Sequence, residues 1–144
     1  MQGRLLPKYQ GHYQAHPVGY WEDEFTVAAE IKKLGIKQII ISTEENPVVS
    51  VRAKKLKITC LQGIENKKIA LMDYCRSNDI DHENVAYVGN DINDMEAIKF
   101  VGLTFCPADA HNSIKAISDH ILNSKGGDAV TRELFDILIN QQGE

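Results

Sequence analysis

Positive charge is scarce in this chain. Its 16 Lys and Arg face 20 Asp and Glu, a formal net charge of -4, which leaves no cationic footprint for nucleic acid. No apolar run approaches the length of a membrane-spanning helix, and the first residues lack the basic-then-apolar order of a secretory leader. Cysteine is limited to Cys60, Cys75 and Cys106. Their odd number and wide spacing exclude CxxC and zinc-ligand patterns, so they read as reduced, buried thiols of a cytoplasmic protein. His82, His111 and His120 have no ligand spacing either; Asp109-Ala110-His111 reads as a helix start, with Asp109 or His111 near the cap. Internal repeats and low-complexity stretches are absent as well. What remains, 144 residues with 43% hydrophobic content, suffices for one globular domain with a buried core.

The chain changes character near residue 30. Residues 1–21 hold Tyr9, Tyr13, Tyr20, Trp21, Pro7 and Pro17 without helical or strand periodicity. From there strands and helices alternate. A helix is expected over 23–34, closed by Gly35, and a β-branched strand over 36–42. Asn46-Pro47 forms a good N-cap and first helical residue for a helix to Leu56. A strand at 58–61 follows, then a helix at 66–77, a strand at 85–88, a helix at 93–100 and a strand at 102–106. A helix at 111–117, a strand at 119–122, a Gly126-Gly127 turn and a helix at 129–140 close the series. Short connections between alternating elements predict right-handed βαβ units, hence an α/β fold built on a doubly wound parallel sheet in three layers.

Chemistry concentrates where strands end. Val85 to Val88 run into Gly89-Asn90-Asp91-Ile92-Asn93-Asp94. Open parallel sheets bind ligands at the carboxyl ends of their strands, and hard oxygen donors there suit Mg²⁺. An Asx cap would need fewer polar groups than these four, so the ligand-binding reading is favoured over a plain turn. Ser42-Thr43 ends the strand at 36–42, where a hydroxyl and backbone N–H groups could meet a phosphoryl oxygen; taken alone, the pair reads better as a turn. Lys67, or its neighbour Lys68, sits in the first turn of a helix, opposing the macrodipole. That placement points to an anionic partner in front of the helix, with a solvated lysine as an even alternative. Arg132, behind Gly126-Gly127, could grip a carboxylate with its fork-shaped guanidinium, although by itself it reads as a solvated side chain.

Taken together, positions 42, 67 and 89–94 resemble motifs two, three and four of the haloacid dehalogenase superfamily. From about Lys32 to Leu138 the chain is similar to its small capless sugar-acid phosphatases: the 3-deoxy-manno-octulosonate 8-phosphate phosphatases and the related domain fused to acylneuraminate cytidylyltransferases. The resemblance rests on Ile40 to Leu56, Gln62-Gly63 with Asn66-Lys67, Val85 to Asp94, and Val101-Gly-Leu with Pro107 to His111. Gly126-Gly127 with Ala129 to Glu133 adds to it. It implies a Rossmann-like fold and a Mg²⁺-dependent phosphomonoesterase that works through an aspartyl-phosphate. Ser42 would bind the transferring phosphoryl group and Lys67 would neutralise it. Asp91, with Asn90 and Asp94, would hold or orient the metal, while Thr43 and Arg132 would lie near the sugar acid. Association into an oligomer is also implied, commonly a tetramer in this group, with no nucleic-acid or membrane partner.

One departure stands out. The superfamily's first motif, Asp-x-Asp after a central strand, supplies the nucleophile, yet the only acids in residues 1–35 are Glu22, Asp23, Glu24 and Glu30. Gln2 to Gln10 and His16 to Phe25 instead resemble the opening of sugar-phosphate isomerase/epimerase TIM barrels. The chain therefore divides into an atypical segment, 1–30, and a phosphatase-like domain, 31–144, that lacks the usual first strand between those at 36–42 and 85–88. Defective catalysis is the expectation. The alternatives are a binding or oligomerisation module associated with an acylneuraminate cytidylyltransferase, and a rearranged gene remnant.

Overall fold

A computed structural model describes residues 35–125 and 128–142. Its elements are β1 (Ile39–Ile41), α1 (Pro47–Leu56), β2 (Thr59–Leu61), α2 (Lys67–Ser77), β3 (Ala86–Val88), α3 (Met95–Phe100), β4 (Leu103–Cys106), α4 (Asn112–Ile117), β5 (His120–Ile121) and α5 (Asp128–Gln142). Short 3-10 turns at His82–Asn84 and Ile92–Asp94 precede β3 and α3. The expected helix at 23–34, the opening segment 1–30 and the Gly126-Gly127 turn lie outside the described residues.

Every strand pairing is parallel. β1 pairs with β2, and β3, β4 and β5 form a second set in that order. Among the described residues no ladder joins β1 to β3, the place where the sequence predicts a missing strand. Even so, α2 packs on β1 and also on the turn that follows β3, so it spans both sets.

Alternation along β4 divides the core between two faces. Leu103 and Phe105 pack with Leu122 and Ile137, joined by Val88, Val130 and Leu134, beneath α5. Cys106 faces the other way, with Tyr87, Leu71, Cys75, Ala97, Ile98 and Ile114 under α2, α3 and α4. Since successive strand residues point to opposite faces, these two clusters make helix, sheet and helix layers. The three-layer, doubly wound expectation holds. No described helix is long and apolar enough to cross a membrane.

The caps explain the element boundaries. Asn46 accepts the N–H of Val48 at 2.9 Å with Pro47 at N1, as its sequence predicts. His111 Nδ1 accepts the N–H of Ser113 at 3.1 Å, so this histidine is a cap. The strands come out shorter than expected: 36–42 contracts to 39–41 and 119–122 to 120–121. Apolar runs mark burial, whereas a strand lasts only as long as its neighbour supplies hydrogen bonds. The helix expected at 93–100 begins instead as a tight turn, because Asp91 and Asp94 form a reciprocal capping box there. The turn at 82–84, capped by Asp81 on the N–H of Glu83, had no periodic signal to reveal it.

That turn lies directly on the start of β4, where the N–H of Gly102 donates to the carbonyl of His82 at 3.2 Å. A Cβ on Gly102 would land on the carbonyl of Glu83. Gly102→Ala should therefore cost at least the ~1–3 kcal/mol of an overpacked site, read as a lower urea midpoint. An unchanged midpoint would mean that the turn yields freely.

Candidate active site

Hydrogen bonds between loops assemble the carboxyl ends of the strands. The N–H of Ser42 donates to Leu61 at 2.9 Å, and the Ser42 carbonyl accepts from Ile64 at 3.0 Å. The N–H of Gly63 reaches the carbonyl of Glu44 at 3.1 Å, and the Gln62 side-chain amide donates to the carbonyl of Asn46. The loop after β2 is thus laced to the loop after β1, and it delivers Lys67 three residues later. Asn66 opens α2 by accepting the N–H of Ile69 at 3.0 Å.

Lys67 then meets Asp94. Its Nζ donates to Asp94 Oδ1 at 2.8 Å, with the two side chains only 11% and 4% exposed. The anionic partner implied by a lysine at a helix start is this carboxylate. Tyr87 also donates its hydroxyl to Oδ1, at 2.6 Å, from the middle of β3. Oδ2 accepts the N–H groups of Asn90 and Asp91 at 3.0 and 3.1 Å. A carboxylate offers about four lone-pair sites, and each has a donor here. Burial pushes the Asp94 carboxyl upward, but the bonds from Lys67, Tyr87 and the two backbone groups outweigh it and hold its pKa below the usual range. Burial, followed by the hydrogen bond to Asp94, raises that of Tyr87. Gly89 permits the close fit: a Cβ there would lie 2.7 Å from that of Asp94.

Asp91 differs from Asp94. It is exposed, with Oδ1 accepting the N–H of Ile92 at 2.7 Å. Exposed Asn90 lies beside it, its carbonyl accepting from His111 at 2.9 Å. Ser42 Oγ accepts the N–H of Glu44 at 3.1 Å, which leaves its own proton to donate, and Thr43 is exposed next to it. Lys67 and Asp94 are therefore in contact, with Ser42 and Asp91 at the two strand ends that α2 spans. Arg132 is half-buried on α5, the helix that covers the Leu103 and Phe105 face of the sheet. Its neighbour Glu133 is the residue that sequence reading passed over. Glu133 is 1% exposed and accepts the N–H groups of Asn123 and Ser124 at 2.8 Å each, tying α5 to the loop after β5. A carboxylate on the apolar stripe of Val130, Leu134 and Ile137 was the available signal.

Among the described residues no three His, Cys, Asp or Glu converge as a ligand cluster. With Asp94 saturated, Asp91 is the carboxylate that a metal could approach. This donor set does not suit a fully caged metal. It does suit a magnesium-type ion, which takes one or two carboxylates and fills the rest of its shell with water and phosphate oxygens.

Comparison with known proteins places the chain in a family. The sequence profile of haloacid dehalogenase-like hydrolases matches residues 24–134. The chain belongs to the haloacid dehalogenase-like hydrolase family. Within the family it is 38% identical, over 110 residues, to the 3-deoxy-D-manno-octulosonate 8-phosphate phosphatase of Escherichia coli K12. That alignment covers 76% of this chain and 58% of the relative, so the chain spans little more than half the length of that enzyme. The cobalt-bound deoxy-D-mannose-octulosonate 8-phosphate phosphatase of Haemophilus influenzae superposes with a TM-score of 0.80 at 25% identity, covering 90% of this chain and 81% of the other. The Moraxella catarrhalis 3-deoxy-D-manno-octulosonate 8-phosphate phosphatase, in complex with magnesium, phosphate and KDO, gives 0.79 at 26% identity, covering 99% and 84%. The resemblance read from the spaced motifs is borne out, and so is the haloacid dehalogenase-type fold.

Because the folded-state pKa of Asp94 is depressed, its stabilisation is complete above the unfolded value of 3.8 and is lost as pH falls through the lower folded value. Asp94→Asn should unfold at lower urea than the parent at pH 7, and the gap should narrow steadily on acidification below pH 4. A gap of constant size would show that the charge contributes nothing.

Proposed function

We propose that this chain is the phosphate-binding core of a sugar-acid phosphomonoesterase, able to hold an octulosonate- or nonulosonate-type phosphate but lacking the carboxylate that would attack it. The observation behind this reading is the Lys67–Asp94 pair at the strand ends. It holds a largely buried ammonium by one hydrogen bond to Asp94, leaving two N–H donors for phosphoryl oxygens. The Ser42 hydroxyl would donate to the same group, with Thr43 beside it. A Mg²⁺ ion held by Asp91 and Asn90 would neutralise phosphate charge, the term that dominates phosphoryl transfer. Asp94 would orient the ammonium and the turn, and Arg132 would contact the sugar acid only from a neighbouring subunit. The activity for which the relatives are named supports the substrate class, and the buried free thiols Cys75 and Cys106 suit a reducing, cytoplasmic setting.

The loss of turnover follows from residues 1–35, which contain no Asp-x-Asp. Removing a covalent nucleophile costs several orders of magnitude in rate. With Mg²⁺ and octulosonate 8-phosphate, phosphate release should stay at background, while calorimetric titration with orthophosphate and Mg²⁺ should show binding that weakens about tenfold or more in Lys67→Ala. Mg²⁺-dependent release abolished by Asp91→Ala would overturn the loss of catalysis. Absence of any phosphate binding would overturn the site.

A second reading, that the chain also works as an assembly module, draws on the edges of β1 and β3, which pair with no strand facing each other among the described residues. Open edges recruit other chains. Light scattering should report a mass above that of the monomer, and a stable monomer would contradict the module.

A further inference from the structure

Tyr87 is a buried polar group to which the site described above gives no part beyond completing the donors around Asp94. It sits at the centre of β3, 9% exposed, with its ring among Leu71, Cys75, Ala97 and Ile98. A Phe would satisfy that packing equally well. The hydroxyl is the only part of the side chain that needs explaining, and it points at Asp94 Oδ1 from 2.6 Å. This is the oxygen that also binds Lys67 Nζ at 2.8 Å. The remaining oxygen is already anchored by the backbone N–H groups of Asn90 and Asp91. The hydroxyl is therefore not needed to hold the turn. Its effect falls on the oxygen shared with the ammonium.

We propose that Tyr87 is a positioning residue, whose hydroxyl shares Asp94 Oδ1 with Lys67 and so keeps the ammonium at the strand ends with its other donors turned toward phosphate. Two donors on one oxygen divide its lone pairs and constrain each other's approach. Without the hydroxyl, the whole acceptor capacity of Oδ1 falls to Lys67, and the ammonium settles more deeply against Asp94. Its outward N–H groups then meet a phosphoryl oxygen at poorer angles, and hydrogen bonds weaken steeply as they bend. The apolar surroundings of the Tyr87 ring make the effect larger, because a hydrogen bond in such a place is not replaced by water.

The proposal rests on the phosphate-binding reading, and its test is arranged so that the two can fail separately. Tyr87→Phe keeps the ring and removes the hydroxyl. Orthophosphate affinity with Mg²⁺ present should fall about three- to tenfold in this variant. In a Lys67→Gln background the same substitution should have no further effect, since its influence passes through the ammonium. A purely structural role would weaken binding equally in both backgrounds, which would overturn the proposal, as would unchanged affinity in the single variant. The second measurement needs no ligand: the ammonium proton and nitrogen signals of Lys67, read by NMR with ¹⁵N-labelled lysine. Tyr87→Phe should shift them while leaving the other lysines in place. If the parent chain binds no phosphate, the function reading falls and this signal alone decides: a shift supports Tyr87 as the positioning group, and an unmoved signal overturns it.

Discussion

Asp94 accepts hydrogen bonds from three separate pieces of chain: Lys67 at the start of α2, Tyr87 within β3, and the N–H groups of Asn90 and Asp91 in the turn after β3. Burying a carboxylate is costly unless it is fully paired. Here the pairing is complete, so the cost becomes a constraint. The turn must fold back, Gly89 must lack a side chain, and α2 must present its first turn to the end of β3. Asp91, released from these duties, faces outward. The division between a saturated inner carboxylate and an exposed outer one separates the group that shapes the pocket from the group that could meet a cation.

The same constraint joins two sets of strands that share no hydrogen bonds among the described residues. α2 bridges them: its apolar face, Leu71 and Cys75, packs with Ile39 and Ile41 on one side and Tyr87 on the other. Lys67 fixes its N-terminal end to Asp94. Where no ladder joins β1 to β3 among the described residues, the helix and the Lys67–Asp94 ion pair carry the connection between the strand ends. A binding function without turnover is compatible with this arrangement, since a phosphate needs donors held in place and the transfer step needs a nucleophile as well.

Much of this was legible in the residues. Asn46-Pro47 announced α1. The crowding of Asn90, Asp91, Asn93 and Asp94 marked the strand end where the turn folds back on Asp94. Lys67 was informative because it sits where the helix dipole disfavours it. Other features stayed hidden for physical reasons. The left-handed conformations of Lys57 and Asp79 lack the glycine that usually signals them. The different fates of Asp91 and Asp94, three residues apart in one polar cluster, depend on which of them Tyr87 and Lys67 reach through space. Periodicity records the side of an element that is buried and is silent about what a buried polar atom touches. Glu133 shows the same limit, as its two acceptors serve a loop that precedes it in the chain.

The most direct test is a crystal structure of the chain grown with Mg²⁺ and orthophosphate. The account predicts phosphate within hydrogen-bond distance of both Lys67 Nζ and Ser42 Oγ, a metal on the Asp91 carboxylate, and Asp94 still holding its four donors with no metal bond. Metal density on Asp94, or a Lys67 side chain turned away from it with the phosphate elsewhere, would contradict the claim that this one carboxylate builds the site.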